Sequence, residues 1–152
     1  DIHGPVPQFG PGTRSDDLIE RMFDKLQGQL VERFNWSLQP DAVLYKPLSS
    51  MQRTDRAEKA ISRFPGIDAA AAAFIRVERQ TLRKLPVSGD ILFTIRIHLD
   101  PMAALRAHPD RARTAASFAG QLAALDRAQL DYKGLAADRD RLVAALEAIA
   151  AA

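Results

Sequence analysis

The chain has 152 residues, of which 47% are hydrophobic and 26% charged, and its formal net charge at pH 7 is +2. This composition predicts a folded globular domain, and so small a basic excess does not indicate nucleic-acid binding. The absence of cysteine excludes disulfides, thiol nucleophiles, cysteine-ligated zinc or iron–sulfur clusters and covalent c-type haem attachment by this chain. No apolar run approaches the roughly 20 residues of a membrane-spanning helix, so we expect a soluble, cytoplasmic protein.

The chain begins at Asp1, without a methionine, inside an extended run that Pro5 and Pro7 stiffen. Nothing before this run starts a fold. The length predicts a single domain over residues 1–152, and this start indicates a trimmed or proteolysed product or one half of a larger domain.

The first half of the chain carries three weaker patterns. Apolar residues at helical spacing predict an amphipathic helix over about residues 16–30. Residues 31–38 alternate in part and contain two aromatic residues, which favours a short strand or a turn. Residues 51–64 are compatible with a polar helix that ends before Pro65.

Two strands joined by a hairpin give the strongest pattern. Phe74 to Leu85 and Ile91 to Leu99 are separated by about five residues, Pro86 to Asp90. The second run alternates almost completely between apolar and polar residues.

Helices are predicted after the hairpin. Asp100 is the candidate cap of a helix that starts at Pro101 and ends before Pro109. A second helix follows, residues 131–134 form a break, and a last helix has a buried stripe that includes Leu142 and Leu146. The predicted fold class is α+β, with an antiparallel hairpin or small sheet followed by helices.

The pairing of the two strands decides which side chains share a face. An even register would place Glu78 opposite His98 and Gln80 opposite Arg96, whereas an odd register would place Glu78 opposite Ile97. We prefer the even register because it keeps Glu78 out of the apolar face. Its polar face is made by Arg76, Glu78, Gln80, Thr94, Arg96 and His98. On pattern alone this face is either a solvated surface with cross-strand ion pairs or the wall of a ligand site.

Other residues are candidates for binding. His3 lies on the stiff extended segment and is either an exposed histidine or a ligand of a metal or haem iron. Arg33, Asn35 and Trp36 are either a strand end with a half-buried tryptophan or a site for an anionic group. His98 and His108 lack partners at zinc-ligand spacing, and the arginines lack the interleaved aromatics of a nucleic-acid site.

Several motifs in order resemble one family. Ile2 to Pro7 (IHGPVP), Arg33 to Trp36 (RFNW), Arg76 to Pro86 (RVERQTLRKLP), Gly89 to Pro101 and Tyr132 to Gly134 together are similar to the alpha-subunit family of haem-dependent oxidative N-demethylases. The resemblance covers most of residues 1–135 and corresponds to the C-terminal part of a family member.

The resemblance implies a PAS-like α/β fold that holds haem b. It also implies oxidation of a methyl group of a secondary amine such as dimethylamine by O₂, with release of formaldehyde. Electrons would come from NADPH through FMN and an iron–sulfur cluster on partner reductase subunits. No nucleic-acid or membrane partner is implied.

Candidate roles follow from the matching motifs. His3, in the IHxPVP-like motif, becomes the candidate axial ligand of the haem iron. Glu78, in the ERQ-like motif, becomes the candidate catalytic carboxylate that holds the ammonium substrate and relays protons. The candidate cofactor-binding residues, besides His3, are Arg33, Arg76, Gln80 and Arg96. A haem-binding PAS-like sensor without enzymatic activity is the alternative, because relatives that share a fold need not share a reaction.

Overall fold

Three antiparallel strands are followed by helices that continue to the C-terminus, which confirms the α+β class. The computed structural model describes residues 21, 28–45, 51, 52, 55, 59, 61–64, 66, 68 and 71–152. The helices predicted over residues 16–30 and 51–64 fall largely outside these residues. Leu30, expected at the end of the first helix, is instead the first residue of a strand.

The sheet contains β1 (Leu30–Gln39), β2 (Phe74–Lys84) and β3 (Ile91–Pro101), in the spatial order β1-β2-β3. Both hairpin strands are confirmed, and the segment predicted as a strand or turn is a strand of ten residues. The aromatic and β-branched residues of these segments favour extended backbone. β2 is the central strand, so it is the only strand of this sheet whose two edges are both paired.

The register of the hairpin differs from the prediction. Leu85 N–H donates to the Asp90 carbonyl at 2.8 Å, so Asp90 belongs to the strand pair and the loop has four residues, not five. Gly89 adopts a φ of 75° in this loop, a left-handed conformation that glycine accepts without steric cost. Shortening the loop by one residue shifts the pairing by one position and exchanges the faces of one strand relative to the other.

Two further contacts support this register along the whole hairpin. The hydroxyls of Thr81 and Thr94 lie 2.6 Å apart, and the Met102 N–H donates to the Ala73 carbonyl at 2.7 Å. All three contacts correspond to the same odd pairing. Glu78 is therefore opposite Ile97, and the predicted polar face does not form.

The segment after β3 also differs from the prediction. Asp100 and Pro101 are still in the strand, and a 3-10 helix, Met102–Ala107, begins after them. Three α-helices follow: α1 (Arg111–Ala123), α2 (Arg127–Lys133) and α3 (Arg139–Ala151). The predicted break over residues 131–134 is shorter, since α2 continues to Lys133 and ends at Gly134, whose φ is 65°.

The chain divides into two units, residues 1–36 with 77–98 and residues 37–76 with 99–152. In the second unit, α1 packs against α3. Leu142 and Leu146 are fully buried, which confirms the predicted stripe of the last helix, and Leu122 of α1 is buried as well. Helical spacing brings these apolar residues to one face of each helix, so their burial stabilises the helix pair.

A buried carboxylate ties an upstream loop to α3 in this unit. Asp138 is 1% exposed and accepts hydrogen bonds from the Ser62 hydroxyl at 2.5 Å and the Arg63 backbone N–H at 2.8 Å. Arg141 donates to the Phe64 carbonyl at 3.1 Å, and Phe64 is completely buried. These contacts fix the loop over residues 62–64 against the start of α3. Among the described helices, none has the length and hydrophobicity needed to cross a membrane.

Candidate functional site on one face of the sheet

The register places carboxylate, amide and guanidinium groups beside an apolar row. Successive side chains of a strand point to opposite faces, so Glu78 and Gln80 of β2 share a face with the odd-numbered residues of β3. We call this surface the Glu78 face. In the first unit its β3 members are Ile91, Phe93, Ile95 and Ile97.

A line of hydrogen bonds crosses the Glu78 face from β1 to β2. Arg33 Nε donates to Gln80 Oε1 at 2.6 Å, and Gln80 Nε2 donates to Glu78 Oε2 at 3.0 Å. Gln80 is 5% exposed, whereas Glu78 is half-buried and Arg33 is exposed. The site therefore has a buried amide between a cation and a carboxylate that both reach solvent.

The hydrogen bonds also explain why Glu78 is tolerated opposite Ile97. A buried carboxylate without partners would carry a desolvation cost, but Glu78 accepts an N–H from Gln80 and is only half-buried. The sequence-based preference for the even register rested on avoiding this juxtaposition. The neighbouring amide makes the juxtaposition acceptable.

The opposite face carries a separate set of polar groups. Thr81 and Thr94 share a hydrogen bond there, and Arg79 Nη2 lies 2.6 Å from Glu32 Oε2. The hydrogen bond from Arg79 lowers the pKa of Glu32 below its ordinary value of 4.5; desolvation opposes this effect and the charge of Arg79 adds to it. Both residues are exposed at the surface, so the contribution of this pair to stability is small.

Arg96 and His98 belong to this opposite face, because they share the alternation of Thr94 in β3. Arg96 was expected beside Gln80, and the register places it opposite Arg79 instead. Trp36 lies on the opposite face of β1 from Arg33 and Asn35, because it is an odd number of residues from both. The predicted grouping of Arg33, Asn35 and Trp36 on one site is therefore wrong for Trp36.

The remaining candidates fall in different places. Arg76 precedes Glu78 by two residues in β2 and so shares its face of that strand. His3 lies outside the described residues. His108 accepts the Asp110 N–H on its Nδ1 atom at 3.0 Å, ahead of α1.

A family model for "haem-dependent oxidative N-demethylase, alpha subunit-like" proteins matches residues 1–143. The chain belongs to this family. Among curated proteins, none matches the sequence. The match confirms the resemblance drawn from the motifs, and it covers the whole sheet and ends within the first half of α3. Membership in a haem-dependent, alpha-subunit-like family indicates haem dependence and further subunits.

The Glu78 face fits part of what a family member needs to hold haem. A porphyrin requires apolar side chains along its plane, and Ile91 and Ile95 are 43% and 48% exposed on this face. Its propionates favour a guanidinium, and Arg33 is exposed on the same face, with β2 between it and the isoleucines of β3. Within the described residues no cluster of three His, Asp or Glu side chains forms a metal site, and neither His98 nor His108 lies on this face. The described residues of this face therefore offer a haem apolar contacts and a guanidinium.

Sequence reasoning missed the isoleucine row as a component of the site. The row itself was evident from the alternation of β3, but its pairing with Glu78 depended on one residue of loop length. The signal that could have found it is the Ser-Gly-Asp sequence at positions 88–90, where a glycine suits the last position of a four-residue loop and lets Asp90 start the strand.

Proposed function

We propose that this chain is the haem-binding catalytic part of an oxidative amine N-demethylase. The substrate is a secondary amine such as dimethylamine, the oxidant is O₂ and the carbon product is formaldehyde. The observation that carries the proposal is the hydrogen-bonded line Arg33–Gln80–Glu78 beside exposed isoleucines in a member of this family.

Each part of the proposed cofactor site has an assigned residue. His3 would ligate the iron of haem b, the isoleucines of β3 would contact the porphyrin, and Arg33 and Arg76 would each be available to bind a propionate. When bound, the haem supplies oxidation of the methyl C–H by O₂, with one oxygen atom entering the substrate, the other leaving as water, and two electrons and two protons consumed.

Glu78 supplies the charge that selects the substrate. A secondary amine is an ammonium ion at neutral pH, and a carboxylate on a partly apolar wall attracts this cation more strongly than it would in bulk water. Because Gln80 Nε2 donates to Oε2 and holds the carboxylate on this face, we assign proton exchange to the Glu78 carboxylate. The carboxylate removes a proton from the ammonium nitrogen before oxidation.

The same carboxylate completes the reaction. After oxidation the substrate is a hemiaminal, whose C–N bond breaks when the hydroxyl proton leaves and the nitrogen gains a proton. Glu78 gives the nitrogen the proton that it took from the ammonium ion and accepts the hydroxyl proton, so the C–N bond breaks to give the demethylated amine and formaldehyde. The amine then takes up this second proton and leaves as an ammonium ion, which restores the carboxylate. Ile95 and Ile97 keep water from the reacting groups on the β3 side.

The electrons come from NADPH through FMN and an iron–sulfur cluster on partner subunits. The lack of cysteine in this chain supports a cluster on another subunit. We also propose a cytoplasmic location, where NADPH is available.

Haem binding is tested first. The chain is expressed with a haem precursor, and its absorption spectrum is recorded before and after dithionite. The expected result is a stoichiometric Soret band that shifts on reduction and is lost or altered in His3→Ala. An unaltered spectrum in that variant would remove His3 as the ligand.

Turnover is tested with hydrogen peroxide, which supplies the oxygen atom and both electrons without a partner subunit. Formaldehyde release from dimethylamine is compared between the wild type, Glu78→Gln and Glu32→Gln. The matched control, Glu32→Gln, removes a carboxylate from the opposite face. We expect full haem loading in all three and loss of formaldehyde in Glu78→Gln alone. Full turnover in Glu78→Gln would overturn the assigned mechanism. Haem loading in all three proteins with no turnover even in the wild type would favour a sensor.

A further inference from the structure

Gln80 uses both ends of its amide inside the protein. Its oxygen accepts from Arg33 Nε at 2.6 Å and its nitrogen donates to Glu78 Oε2 at 3.0 Å. With only 5% of the residue exposed, little of its surface is left to contact a cofactor or a substrate. Its position in a predicted cofactor-binding set therefore needs another explanation.

The direction of the amide is determined by Arg33. A guanidinium has only hydrogen-bond donors, so the carbonyl oxygen of Gln80 must face it. This leaves the NH₂ group on the side of Glu78, where a carboxylate oxygen accepts. If the donor at position 33 were lost, the amide would keep only its hydrogen bond to Glu78, and the two side chains could move together.

We propose that Gln80 is a positioning residue that holds the Glu78 carboxylate in one orientation, and that Arg33 sets this orientation through Gln80. An anionic group that binds the terminal nitrogens of Arg33 would then be connected to the carboxylate through two side chains, Arg33 and Gln80. The catalytic consequence rests on the proposed function of Glu78, but the positioning itself does not.

Substitutions at Gln80 and Arg33 test the two hydrogen bonds separately. Gln80→Glu keeps an acceptor for Arg33 and removes the donor to Glu78. Arg33→Met leaves the amide in place and removes the group that orients it, and Arg33→Lys restores a donor. Thr81→Val is the matched control, because it removes the hydrogen bond to Thr94 from the neighbouring residue of β2, on the opposite face.

The first readout is the pair of γ-proton resonances of Glu78 in the chain without added haem. A side chain held in one rotamer gives two well-separated shifts for these diastereotopic protons, and free rotation brings the two shifts close together. We expect separate shifts in the wild type, Thr81→Val and Arg33→Lys, and merged shifts in Gln80→Glu and Arg33→Met. Separate shifts in both of the last two variants would overturn the proposal, and Arg33→Met, at an exposed position, keeps the test available if Gln80→Glu does not fold.

The second readout is turnover by the haem-loaded chain with peroxide. Misorienting a reacting group costs up to about 100-fold in rate, so kcat should fall by about 10- to 100-fold in Gln80→Glu and Arg33→Met, with haem loading retained in Gln80→Glu. A change in KM alone would overturn the catalytic part of the proposal. If the shifts merge in Gln80→Glu and Arg33→Met as expected but the haem-loaded wild type does not demethylate an amine, the proposed function is overturned and the positioning by Gln80 stands.

Discussion

Arg79 in β2 lies directly opposite Arg96 in β3, in the same register that pairs Thr81 with Thr94. Like charges directly opposite each other on neighbouring strands are unfavourable. The compensation comes from the third strand, where the Glu32 carboxylate of β1 lies 2.6 Å from Arg79. Three strands therefore share one electrostatic arrangement on the face opposite Glu78.

This arrangement predicts a specific coupling between substitutions. Glu32→Gln should lower the urea midpoint of unfolding, because Arg79 is then opposed to Arg96 without a balancing charge. In an Arg96→Gln background the same substitution should cost less. A double-mutant cycle of Glu32→Gln and Arg96→Gln, measured by urea unfolding, tests this coupling. Additive effects of the two substitutions would mean that Arg79 and Arg96 are not neighbours.

The Glu32–Arg79 pair also predicts a pH dependence. The pKa of Glu32 is lower in the folded state than its ordinary value of 4.5, so the folded state favours the ionised form. The stabilisation is present above pH 4.5 and is lost as the pH falls through the lowered pKa. The difference in urea midpoint between the wild type and Glu32→Gln should therefore shrink between neutral pH and about pH 3. An equal difference at both pH values would contradict the pairing.

Disulfide formation can test the register of the hairpin. Directly paired residues on antiparallel strands have Cα atoms about 5.5 Å apart, which a disulfide can bridge. The chain has no cysteine, so introduced pairs have no competitors. We expect Thr81→Cys with Thr94→Cys to crosslink under mild oxidation, as shown by gel mobility after proteolysis between the strands. Thr81→Cys with Ile95→Cys should not crosslink, because these side chains lie on opposite faces.

The sequence predicted the hairpin strands but not how they pair. Alternation in β2 and β3 is a local property of each strand, and it was sufficient to identify both. Register depends on whether Asp90 belongs to the loop or to the strand, and one residue reverses the faces. Glu78 and Gln80 stayed together because they lie two apart in one strand, whereas Arg96 was assigned to the wrong face.

Local sequence patterns could not predict contacts between residues that are far apart along the chain. Arg33 and Gln80 are separated by 47 positions, and their hydrogen bond requires β1 to pair beside β2. Asp138 and Ser62 are 76 positions apart, and nothing near either residue indicates the other. The family motifs marked Glu78 and Arg33 as candidates, but the amide between them gained its role only from the folded arrangement.

The buried carboxylate of Asp138 gives the sharpest prediction for stability. Asp138→Ala removes the buried acceptor that the Ser62 hydroxyl and the Arg63 N–H share, so it should lower the free energy of unfolding by roughly 2–4 kcal/mol. Asp138→Asn keeps one acceptor oxygen and should cost less than the alanine variant. Asp140→Ala is the control, because its side chain is 85% exposed and its loss should cost under about 1 kcal/mol. Urea unfolding followed by circular dichroism measures all three, and equal losses in the alanine variants at positions 138 and 140 would mean that Asp138 does not hold the loop to α3.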